Sequence, residues 1–63
     1  MLEMATIREQ LQDLLDKERR AMTAYAELVA KAADTRLREQ FLQLQREKQR
    51  HVELAERLLQ IMD

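Results

Sequence analysis

Glycine, proline and cysteine are absent from this chain, and its aromatic residues are one Phe and one Tyr. Without Gly or Pro the usual punctuation of tight turns is missing. Without Cys there is no disulfide framework and no thiolate zinc site, and the scarcity of sheet-favouring residues leaves nothing to argue for a strand. A strong charge of one sign is missing too. Eleven Lys and Arg stand against 12 Asp and Glu, a formal net charge of −1, so there is no global attraction for nucleic acid or an anionic membrane. No apolar run approaches a membrane span or a secretory signal. The expectation is a cytoplasmic protein whose partners include neither nucleic acid nor membrane. The sequence also carries no phosphate-binding loop and no nucleophile–base motif.

What it does contain is Leu, Ala, Glu, Gln, Arg, Lys and Met, the strong helix formers, over 63 residues. The predicted fold class is all-α. A domain near this size buries only about 60% of its unfolded surface even when globular, and two helices side by side bury less. Self-association is the remedy expected of a small chain without metal or disulfide staples.

From Met4, apolar residues recur at Ile7, Leu11, Leu14, Ala21, Tyr25, Leu28 and Ala32 in steps of three and four, interrupted only at Glu18. The pattern restarts at Leu37, Phe41 and Leu44, breaks at Lys48 and His51, and resumes at Ala55, Leu58 and Met62. Leu15, Met22 and Val29 in the first half, and Val52 and Leu59 in the second, widen the stripe into the broad face of a bundle helix. The two series are offset by two positions. Continuing the first past Ala32 would place Thr35, Glu39, Leu42, Arg46 and Gln49 inside, mostly polar residues, so one helix through the whole chain is excluded. Asp34 and Thr35 both suit the N-cap of a new helix. The chain therefore reads as one domain, 1–63, with a helix over 4–32, a turn at 33–35 and a helix over 35–62. Their similar lengths predict an antiparallel helical hairpin that self-associates into a four-helix bundle, as a dimer or a ring of dimers.

Folding back at residue 33 or 34 sets Glu18 level with positions 48 to 50, facing Lys48 and His51. An ionised carboxylate in a bundle core needs a hydrogen-bonded partner or a metal. Pairing two hairpins about a two-fold axis would gather two copies of each polar residue in one layer. Carboxylates combined with histidine suit iron, manganese or zinc.

Glu18 followed by Ala21 and Tyr25, a short turn, an amphipathic helix with Phe41 and Leu44, and then REKQRHVELAERLL together resemble the ferritin-like superfamily. The chain is similar to its rubrerythrin branch and most of all to encapsulated ferritins, over roughly Leu14 to Leu59. That likeness implies a single hairpin that completes a di-iron ferroxidase site across a subunit interface. It implies iron bound between subunits, oxidation of Fe(II) to Fe(III), and an encapsulating shell as a partner. Glu18 matches the family's first-helix Glu ligand and His51 its histidine ligand. Three residues before His51, where the family has a second Glu, stands Lys48. Glu47, four residues before His51, is the carboxylate left to assist, so the candidate metal ligands are Glu18, Glu47 and His51.

Lys48 also supports an alternative of a different class. Its ammonium repels a divalent ion and can neutralise Glu18, leaving a metal-free polar layer that fixes the register of a helical-hairpin oligomerisation module. Tyr25 is expected in the core with its hydroxyl reaching this layer. Arg19, Arg20, Arg46, Arg50 and Arg57 are interleaved with Glu and Gln and read as a solvated face, and the mild acidity of the chain disfavours an RNA-binding hairpin dimer of the ROP type. Met1, Met4, Met22 and Met62 are too scattered for a metal-binding stripe.

Overall fold

The computed structural model describes residues 3–62, so Met1 lies outside the described residues. Two helices, α1 over Met4–Lys31 and α2 over Thr35–Met62, account for nearly all of it. Each has 28 residues, about 42 Å at a rise of about 1.5 Å per residue. They pack against each other as a hairpin 49 Å long and 16 Å across. No strand occurs among the described residues.

The reversal between the helices is made by Ala32, Ala33 and Asp34, with no residue at positive φ. Ala32 leaves α1 in an extended conformation (φ −71°, ψ 118°) while its N–H still donates to the Leu28 carbonyl at 2.9 Å. A helix that ends through a left-handed residue favours glycine; an extended exit does not. Asp34 then caps α2. Its Oδ1 accepts the Leu37 N–H at 2.9 Å, and its carbonyl accepts the Arg38 N–H at 2.9 Å.

Carbonyls at the C-terminal ends are answered crosswise. The Arg38 guanidinium of α2 donates to the Ala32 carbonyl at 2.6 and 3.1 Å, and Arg8 of α1 donates to the Met62 carbonyl at 2.7 Å. Each arginine places positive charge at the negative end of the neighbouring helix dipole and satisfies an orphan acceptor there. The two ties sit at opposite ends of the hairpin and hold its helices in register.

Leu15, Val52 and Ala55 form the buried contact between the helices, with Leu11 and Leu59 packed against them. This redistributes the apolar pattern. Leu15, Val52 and Leu59, which the periodicity assigns to the margin of the stripe, make the interhelical seam. From the main series, Ile7, Leu14, Leu28, Leu37, Leu44 and Leu58 stay exposed, as do Leu54 and Ile61. The cause is geometric: an apolar stripe wider than about 100° cannot be covered by a single neighbouring helix. The hairpin buries one edge of the stripe and leaves the other edge open.

Candidate polar site on the open apolar face

Glu18 reaches across from α1 to meet two residues of α2 that lie one turn apart, and so on one side of that helix. The Lys48 ammonium donates to Glu18 Oε1 at 3.3 Å. His51 Nδ1 lies 2.9 Å from Glu18 Oε2. With the carboxylate ionised, that second bond requires the proton on Nδ1, which leaves Nε2 outside it. Both carboxylate oxygens are thus engaged within one chain. The side chains of Glu18 and Lys48 are about three-quarters covered, at 25% and 27% exposure, whereas His51 is 57% exposed.

The Glu18 carboxyl is held below its ordinary value of 4.5, chiefly by the hydrogen bond from His51, aided by the hydrogen bond and charge of Lys48 and opposed by burial. A carboxyl with a lowered folded-state pKa contributes stability that is fully present above its ordinary value and lost as pH falls through the lowered one. Near neutral pH the native protein should therefore be more stable than Glu18→Gln by about 1 kcal/mol for a partly exposed charge-assisted pair, with a correspondingly higher thermal midpoint. That difference should begin to shrink as pH falls below 4.5 and vanish once the lowered value is passed. Parallel pH–melting curves for the two proteins would contradict this.

Glu47 does not join the cluster. It is half-buried but forms no hydrogen bond or ion pair with Glu18 or His51, because one residue before Lys48 means a rotation of about 100° around α2, away from α1. Nor does the Tyr25 hydroxyl reach the layer as expected from the sequence. Seven residues beyond Glu18 is two turns along the same helix, about 10 Å away. Among the described residues no group of three or more His, Asp or Glu converges as a metal-binding cluster.

The polar trio lies at the middle of the open face. Toward the open end of the hairpin, a shallow groove of about 260 Å³ runs between Leu11, Leu14, Leu54, Ala55 and Leu58, with Glu18 and His51 at its inner end. A second, of about 350 Å³, continues between Ile7, Leu11, Leu14, Leu58, Ile61 and Met62. A larger concavity of about 440 Å³ lies between Gln43, Arg46, Gln49, Arg50 and Glu53, all on α2. It is a gap between polar side chains of one helix and holds no constellation of reactive groups. The contribution of Leu54 and Ile61 to the open face had a signal in the sequence: both are apolar and lie one step before Ala55 and Met62. The crosswise arginine ties had none, since Arg8 and Arg38 look like any other charged helix residue.

None of the protein-family models, curated proteins or solved structures compared with this chain matches it. Among the described residues, no helix is long and apolar enough to cross a membrane.

Proposed function

We propose that this chain is a self-associating helical hairpin, an oligomerisation module in which Glu18, Lys48 and His51 form a metal-free polar layer at the centre of the interface. The observation that carries this reading is the double engagement of Glu18: one oxygen is held by an ammonium and the other by an imidazole, on the face where large apolar side chains are left open. A carboxylate in that position has its charge answered without an ion. Covering Leu14, Leu54 and Ile61, at 55%, 56% and 80% exposure, supplies the burial that a core of Leu15, Val52 and Ala55 lacks. A polar layer within an otherwise apolar interface selects one register, because any slip leaves its charges unpaired against hydrocarbon.

A second reading keeps the same assembly and adds iron as its cargo. It is favoured by the meeting of Glu18 and His51, the residues that match the ligands of ferritin-like hairpins. A two-fold axis through the layer would bring two Glu18 and two His51 together between subunits, with Glu47 assisting. Within one hairpin these groups do not fit a metal: they amount to two donors, and one carboxylate oxygen already holds the Lys48 ammonium. Iron binding would require that contact to open.

Sedimentation equilibrium with and without Fe(II) tests both readings. The metal-free module is expected to sediment as a dimer or a multiple of it, with mass and melting temperature unchanged by iron. Leu54→Glu, which sets a charge into the open face, should lower the association constant by at least tenfold, since placing an unpaired charge against apolar surface costs more than about 1.4 kcal/mol. A native protein that stays monomeric at 100-fold dilution and at high concentration alike would sink the assembly. An oligomer whose melting temperature and near-ultraviolet absorbance rise with Fe(II) would favour the iron-carrying reading instead.

A further inference from the structure

The open face carries more than a tendency to pair; its relief is polarised along the hairpin. Both apolar grooves lie in the half nearer the open end, between Ile7, Leu11, Leu14, Leu54, Leu58 and Ile61. The half nearer the turn presents Tyr25, partly buried, with Leu28 and Leu44 exposed. Resting on the self-association proposed above, we infer that two copies pair antiparallel, with their turns at opposite ends of the bundle and the turn half of each copy seated in the grooves of the other.

Two face-to-face arrangements have a two-fold axis through the polar layer. With the axis along the helices the turns lie together, and α1 of one copy covers α2 of the other. Leu14 then meets the partner's Leu54 at nearly the same level, and Ile7 the partner's Ile61. Large side chains oppose large ones, and the grooves of one copy open onto the grooves of the other. Voids of that kind forfeit dispersion contacts on both walls and cost stability in proportion to their volume.

With the axis across the helices the turns lie apart, α1 covers α1 and α2 covers α2, and residues equally far to either side of the layer oppose each other. On α2, Leu44 and Ala55 lie equally far from the midpoint of Lys48 and His51. Leu44 therefore packs over the groove that the partner's Ala55 lines. On α1, Ala21 falls within one residue of the level of the partner's Leu14. The small residues at these two levels meet large ones, and each groove meets bulk instead of another groove.

Electrostatics do not reverse this choice. With α1 over α1 and α2 over α2, each Glu18 faces the partner's Glu18 and the Lys48–His51 pair faces the partner's pair, but each Glu18 is already answered by Lys48 and His51 of its own chain, so compensated clusters and not bare charges meet across the axis. Shape decides. The area is also adequate, since a face 49 Å long and 16 Å wide spans about 800 Å², the share one partner contributes to a standard interface. The same patch serves both copies, which closes the assembly as a dimer.

A spin label tests the orientation directly, because the chain has no cysteine of its own and Ala33, in the turn, is exposed. Ala33→Cys carrying a nitroxide should give an inter-label distance of about 45 Å, since fifteen residues separate it from Glu18 and each contributes about 1.5 Å on either side of the axis. A distance under about 25 Å would overturn the antiparallel arrangement while leaving self-association intact. Loss of all dipolar modulation together with a monomeric mass would overturn both. Gln10→Cys, exposed at the other end of α1, provides a second distance that the antiparallel model sets at about 25 Å, again from eight residues on each side.

Discussion

Lys48→Glu should make the stability of the protein depend on a divalent ion. In the native chain the ammonium lies 3.3 Å from Glu18, and the substitution replaces that attraction with a second carboxylate facing the first. Breaking a buried pair by removing one partner costs about 3–5 kcal/mol. Partial exposure reduces this to about 2 kcal/mol, or a fall of about 8–16 °C in melting temperature for a domain of this size. The same change sets a glutamate three residues before His51, the spacing at which two side chains share a helix face and bind one metal in bundle di-metal sites. Zn(II), Mn(II) or Fe(II) at about 100 times its dissociation constant should then restore about 2.7 kcal/mol. Thermal melts of both proteins with chelator and with each metal provide the check. A variant that melts like the native protein and ignores metal would mean that position 48 does not belong to the Glu18 layer.

Leu15→Ala should be the most damaging single apolar truncation. Among the described residues Leu15 is the one large side chain that the hairpin buries almost completely, at 2% exposure, and it anchors the cluster with Val52 and Ala55. Leucine-to-alanine changes at such sites cost about 2–5 kcal/mol, part from lost transfer energy and part from the cavity left behind. With so thin a core, most of the stability of a single hairpin is at stake, and far-ultraviolet circular dichroism should show loss of helix at 25 °C or a melting point lower by more than about 10 °C. Leu14→Ala, one residue away but 55% exposed, should act differently. Its effect should come through the assembly and so depend on protein concentration. Equal, concentration-independent losses for the two variants would contradict the division of the apolar stripe between an inner and an outer face.

That division marks where sequence reading stops being sufficient. The helical period, the reset between Ala32 and Leu37, and Asp34 as a cap are local matters. They depend on residues within one or two turns of each other, so they are legible from spacing alone. The meeting of Glu18 with Lys48 and His51 is less local, yet it follows from counting residues on either side of a short turn. The polar site was legible for that reason, while the place of Glu47 relative to it within one hairpin was not: one step along a helix is a rotation of about 100°, and only the direction of the neighbouring helix says whether that rotation leads toward the site or away from it.

By itself, then, the sequence determined that the chain is helical, that it reverses once near residue 33, and that Glu18 lies level with two basic residues on the second helix. Tertiary structure alone decided which edge of a broad apolar stripe is buried within the hairpin and which is left open. It placed Leu15, Val52 and Ala55 inside, Leu14, Leu54 and Leu58 outside, and tied the C-terminal end of each helix with an arginine from the other. The physical reason is that periodicity records how wide an apolar face is, whereas its use depends on how many neighbours cover it. One neighbour accounts for half of this face, and the polar layer stands on the half that remains.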